Sequence, residues 1–141
     1  MARPQSQRRI AGRPRVLVFK PRGVPMHELA EVHLCADAWE ALRLCDHEGL
    51  DQEDAAKRMG VSRPTVSRIL ERARKAVARV LVEGCSLVID VPVDAVQACD
   101  ECHGTWPGPA SLTRCPTCGS CRMHLLVHPD CQPDASPTLE T

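Results

Sequence analysis

Aromatic side chains are almost missing from this sequence: Phe19, Trp39 and Trp106 are the only ones in 141 residues. A large aromatic-packed core is thereby excluded. Burial must rely on valine, leucine and alanine, which suit a small helical core that a metal site or a partner would help to hold. Long apolar runs are also missing. The longest early one, Val16 to Phe19, is too short for a signal-peptide core or a membrane span. Common enzyme signatures are lacking as well: there is no Gly-rich phosphate loop, no nucleophile elbow and no recognisable frame of paired carboxylates. The expectation is a protein that is not an enzyme, located in the cytoplasm.

Net charge is zero, but that zero sums unlike parts. Residues 1–25 hold seven bases and no acid, and residues 26–59 hold nine acids against three bases. Residues 60–84 hold six bases against two acids, and the remainder two against seven. Two basic segments flanking an acidic one suit a polyanion met on one face. Nine cysteines in a reducing compartment point to metal or redox chemistry rather than a disulfide framework, and the odd count agrees.

Residues 1–14 read as a flexible basic arm, either solvated or tracking phosphates and the minor groove. Arg15 to Lys20 is a short β-type run closed by Pro21 and Gly23. Residues 26–34 read as a short helix or helical turn. A better helix starts near Asp37 as N-cap, with Glu40 three residues on, and ends at Gly49. Asp51 opens the next helix, which stops at Gly60. Ser62 caps the one after, with Pro64 in its first turn. Val66, Ile69, Leu70, Ala73, Val77, Val80 and Leu81 recur at helical spacing until Gly84. Ser86 to Val91 is β-type and can pair with the run at 15–20.

The expected fold is therefore mainly α. It has a three-helix core with a helix-turn-helix, a short two-stranded β element and a small C-terminal module like a zinc ribbon. The expected divisions are a basic arm (1–14), a DNA-binding domain (15–91), a cysteine-rich module (92–131) and a disordered tail (132–141).

Leu50 to Leu70 has the parts of a helix-turn-helix. Small Ala55 and Ala56 let two helices approach, Gly60 makes the corner, Val61 plugs it, and Val66, Ile69 and Leu70 face inward. Arg63, Thr65, Ser67, Arg68 and Arg72 remain on the outer face, which enters the major groove of duplex DNA in this motif. Arginine can bond guanine bidentately, and threonine or serine can reach bases or phosphates. Arg74, Lys75 and Arg79 lie further along and suit phosphates.

The stretch from Gly49-Leu50 to Arg74-Lys75 resembles the fourth region of bacterial sigma factors. Phe19 to Ile89 is similar to a family of small uncharacterised prokaryotic proteins predicted to bind DNA. That resemblance is carried by Phe19-Lys-Pro-Arg-Gly23, Glu40-Ala-Leu-Arg-Leu44, Glu48-Gly-Leu50, Ala55 through Thr65, Arg68-Ile-Leu70 and Ala73-Arg74. It implies binding to DNA, as a prediction for that family and not through a known regulon. A complete sigma factor is excluded, because the chain has no room for the aromatic-rich region that opens promoters. A plain trihelical core, or a domain that docks on another protein, is the competing reading.

Cys99-Asp-Glu-Cys102 and Cys115-Pro-Thr-Cys118 are two C-x₂-C turns separated by twelve residues. Two such turns make a closed tetrahedral thiolate site, which zinc prefers, and the pattern resembles a zinc ribbon. One zinc per chain is expected. Cys121 extends the second pair to a C-x₂-C-x₂-C run, as met in iron–sulfur proteins. Those call for a fourth cysteine followed by proline, whereas Cys131 precedes Gln132, so an iron–sulfur cluster is the lesser alternative. Cys121, His124, His128 and Cys131 have the spacing of a second site, although stray tail residues are the simpler reading. Cys35, Cys45 and Cys85 read as small core residues. His27, His33 and His47 read as surface or capping residues.

Three functions are compatible with these features. The first is a DNA-binding regulator with a structural zinc. The second is a metal or redox sensor whose cysteines control DNA binding. The third is an adaptor docking on transcription machinery such as RNA polymerase, with no membrane partner in any case.

Overall fold

In the computed structural model, which describes residues 7–92, 95–107 and 112–128, the helices form where the capping chemistry lies. Asp51 accepts from the Asp54 amide at 2.8 Å and starts α2 (Gln52–Met59). Ser62 accepts from the Thr65 amide at 3.3 Å and starts α3 (Arg63–Glu83), with proline in its first turn. Each cap satisfies an amide that has no partner within its helix. Between the two helices, Gly60 takes φ 68°, the left-handed conformation that a side chain would disfavour. The first helix, α1 (Ala36–Leu42), starts one residue before Asp37 and continues as a π-helical turn, Arg43–His47. Asp37 is thus a buried first-turn residue, not a cap, and its carboxylate lies 3.3 Å from Arg8 Nε.

The expectation of a mainly α fold with one two-stranded β element is overturned. Seven strands form two sheets among the described residues. They are β1 (Arg8–Ile10), β2 (Val18–Phe19), β3 (Glu31–Cys35), β4 (Ser86–Asp90), β5 (Val96–Cys99), β6 (Thr105–Pro107) and β7 (Met123–Val127). The pairing of the 15–20 run with Ser86–Asp90 does form, with Val18 opposite Val88. A third strand joins it, because residues 31–35 are β3 and not helix; only Met26–Glu28 makes a helical turn, of 3-10 type. Val32 and Leu34 are buried while Glu31 is exposed, a period of two that a nine-residue window could not separate from a helical one.

β3 and β4 run parallel, with Leu34 opposite Ile89. Parallel neighbours need a long crossover, and α1, α2 and α3 are that crossover. Their packing is the main core. Leu34 and Ile89 from the sheet meet Ala38, Ala41 and Leu44, then Ala55, Ala56 and Met59, then Val66, Ile69, Leu70 and Ala73. The alanines at the contacts replace bulk with close approach, which is how this chain builds a core without aromatics.

The second sheet is antiparallel, in the order β1, β7, β5, β6. Residues 8–10, expected to be part of a flexible arm, are its outer strand, with Ile10 fully buried. Ile10 packs with Ala36, Ala95, Leu125 and Val127. Ala36 opens α1, so the cysteine-bearing sheet and the helices share this smaller core. The tail from residue 129 onward, including Cys131, lies outside the described residues. Among the described residues no helix is long and apolar enough to cross a membrane.

Candidate metal centre and helix-turn-helix face

The two C-x₂-C turns converge. Cys99 ends β5, and the segment Cys115 to Cys118 precedes β7. The sulfurs of Cys99, Cys102, Cys115 and Cys118 all lie within 4.8 Å of one another. Cys99 Sγ is 3.6 Å from Cys118 Sγ, and Cys102 Sγ is 3.5 Å from Cys115 Sγ. One cysteine of each turn is buried (Cys99, Cys115) and one exposed (Cys102, Cys118). Backbone amides aim at the buried sulfurs: Glu101 N donates to Cys99 at 3.4 Å, and Thr117 N and Cys118 N donate to Cys115 at 3.4 Å. Amides so placed stabilise thiolates, and four thiolates need a cation between them. The glycine after the first turn is also required. A Cβ on Gly104 would stand 2.7 Å from the Trp106 ring, which packs beside the site.

Without a metal these thiols titrate far apart. Burial raises Cys115, but the amides of Cys118 and Thr117 and the neighbouring thiols outweigh it and bring the group down to about 6. At Cys118 the Ser120 amide favours the thiolate, but burial and the other three sulfurs push the thiol up to about 12. Cys102 is raised too: the Gly104 amide is outweighed by the hydrogen bond with Cys115, by burial and by the hydrogen bond with Cys99. The four residues can hold a metal ion among their sulfurs.

Among the described residues, the other histidine and cysteine candidates do not join the four. His124 Nδ1 is 2.8 Å from Asp100, and burial lowers its pKa, as does the nearby Arg9. His128 Nε2 is 3.2 Å from Gln7 Nε2. Cys121 is exposed with a free thiol. Of the cysteines expected in the core, Cys35 and Cys85 are buried and Cys45 half-buried, but Cys35 is disulfide-bonded, against the expectation that no cysteine serves a disulfide. His27 is surface-exposed, whereas His33 is half-buried between Asp90 at 2.8 Å and Glu31 at 3.2 Å.

Along α3 the inner face is Val66, Ile69, Leu70 and Ala73, all buried. Arg63, Ser67, Arg68, Arg72, Arg74 and Lys75 are exposed, and Thr65 and Arg79 half-exposed. The expected contact residues are not equivalent, however. The Thr65 hydroxyl sits 2.8 Å from that of the Ser62 cap. Arg74 is clamped by Asp46, through Nε at 3.1 Å and Nη2 at 2.7 Å, which holds the Asp46 carboxyl below the usual range. Arg79 Nε is 2.7 Å from Glu83. No described residue forms an ion pair with Arg63, Arg68, Arg72 or Lys75.

Comparison with known proteins gives the family. Residues 1–92 match the family described as "Protein of unknown function DUF134". The chain belongs to that family. Relatives named "UPF0251 protein" span most of its length. The one from Desulforudis audaxviator is 42% identical over 137 residues, covering 92% of this chain and 88% of the relative. The one from Moorella thermoacetica is 46% identical over 125 residues, covering 85% and 84%. The one from Aeromonas salmonicida is 51% identical over 89 residues, covering 63% and 87%. No solved structure matches.

Within this DUF134 member, sequence reasoning missed the residues that join its two candidate sites. Glu40 is buried at 1% exposure and takes the Ala11 amide at 2.9 Å, beside a tight pair with Arg43. Arg8 meets Asp37, and Arg9 meets Asp100 at 2.5 Å. The only signal was the basic run itself, and a charged run usually marks a solvated segment.

Proposed function

We propose that this chain binds duplex DNA through α2 and α3, as a transcription regulator whose cysteine turns carry one structural zinc. One observation carries this reading. The capped α2–Gly60–α3 unit buries one face of α3 and leaves Arg63, Ser67, Arg68, Arg72 and Lys75 on the other. A helix held this way, with bases on its free face, suits the major groove. Selection of bound sequences from a random duplex pool tests it. An enriched motif is expected, with salt-sensitive affinity: contacts to about five phosphates give a log–log slope near −4 to −5. No enrichment, or a slope near zero, overturns the reading.

A different observation favours protein docking as the second reading. Val16, Val18 and Phe19 are each over 40% exposed, and Leu81 and Val82 over 75%. An adaptor for RNA polymerase would use such apolar residues, and mutating them would leave selection from the DNA pool unchanged.

A further inference from the structure

One side chain spans the gap between the two candidate sites. β1 is the outer strand of the cysteine-bearing sheet, with Arg9 opposite Leu126 of β7. β7 pairs in turn with β5, where Met123 stands opposite Cys99. Asp100 lies inside the first C-x₂-C loop, and its carboxylate accepts from Arg9 Nη2 at 2.5 Å. The same oxygen is 2.8 Å from His124 Nδ1, and the Asp100 amide donates to the Arg122 carbonyl at 3.0 Å. The opposite side of Arg9 faces the helices. Its Cδ and Cγ lie 3.4 and 3.6 Å from where a Cβ on Gly60 would stand. Gly60 is the corner between α2 and α3. There its amide donates to Lys57 O at 3.3 Å and the Val61 amide to Ala56 O at 3.1 Å. Arg9 therefore pairs its charge with the loop between two sulfur ligands, and its stem lies beside the turn that aims α3.

We infer that Arg9 is a strut between the four-cysteine site and the helix-turn-helix corner, so that metal occupancy and DNA affinity are linked. The DNA half of this statement rests on the function proposed above; the link from the cysteine site to the corner stands on the geometry alone. With an ion bound, the Cys99–Cys102 loop has one shape and Asp100 one position. Without it, the loop loses that constraint. Arg9 and Asp100 are 41% and 37% exposed, and an ion pair so open to water has little hold of its own. The pair then opens, the stem is no longer fixed beside Gly60, and the start of α3 is no longer held at one angle. Linkage is reciprocal, so DNA must raise metal affinity by the factor by which metal raises DNA affinity.

The test uses the full chain, loaded with zinc or stripped by a chelator, as wild type and as Asp100→Asn and Arg9→Ala. Neither substitution removes a sulfur ligand, and the second removes both the charge and the stem. Hydrogen exchange at the Gly60 and Val61 amides is the first readout. With zinc bound, both variants should exchange several-fold faster there than wild type, with Ile69 and Leu70 unchanged. Stripping zinc should bring the wild-type corner to the variants' rate. The second readout is affinity for the selected duplex. Zinc removal should weaken wild type by about tenfold, within the range usual for coupled sites, and the variants by less than about twofold. Zinc-bound variants that match wild type at the corner would overturn the strut, as would a rise of equal size at Ile69 and Leu70. If the zinc-loaded chain binds no duplex at all, the DNA reading falls, while the exchange result still decides the strut.

Discussion

At the scale of single residues, exposure and partnership separate side chains that the sequence presents alike. Arg68 and Arg74 both lie on the outer side of α3, yet Asp46 already holds Arg74 bidentately. A phosphate would have to compete with that carboxylate. Arg68→Ala should therefore cost roughly 1–3 kcal/mol of DNA binding and relax preference at one or two base positions. Arg74→Ala should change affinity far less and leave the selected motif as it is. Parallel selection with both variants checks this, and identical profiles would sink the face assignment. The same logic divides the cysteines. Cys118 belongs to the group of four, whereas Cys121, three residues on, is exposed and outside it. Cys118→Ser should abolish stoichiometric zinc and Cys121→Ser should leave it intact, as read by metal analysis of purified protein.

Elements with a strong local code were legible; those built by long-range pairing were not. α2 and α3 announce themselves through Asp51, Gly60, Ser62 and Gly84, because caps and corners act within a few residues. The four-cysteine group was equally plain, since metal geometry imposes fixed spacing. β1 could not be read. Arg8-Arg9-Ile10 has one apolar residue, and it becomes a strand only because β7, more than a hundred residues later, lies beside it. Its apparent solubility conceals Ile10, which reaches 0% exposure between Ala36, Leu125 and Val127. Ile10→Ala should thus destabilise the fold by about 2–5 kcal/mol, in line with other large-to-small core changes. The midpoint of urea unfolding reports it. A loss under about 0.5 kcal/mol, the usual range for surface sites, would show that β1 is dispensable after all.

For the molecule as a whole, the proposed zinc would carry a burden that the small core cannot. Ile10, Ala36, Ala95, Leu125 and Val127 are the buried members of the second cluster, and structural zinc supplies on the order of 10 kcal/mol in small modules at neutral pH. That contribution depends on pH, and the thiols fix its sign. Zinc binds thiolates, so each thiol protonated in the metal-free protein must release its proton on binding. Cys118, up at about 12, and Cys102, also raised, hold theirs at neutral pH. Zinc affinity should therefore rise with pH across the neutral range. Cys115, down at about 6, is mostly thiolate at pH 7 and adds no proton there. Below about pH 6 it does, so the loss of affinity on acidification should steepen through that point. Competition against a chromophoric chelator between pH 5 and 8 measures both slopes. An affinity that stays flat with pH would mean that the four thiols are not the ligands. A decline with one constant slope would mean that Cys115 keeps its proton at neutral pH, against the amides that point at its sulfur.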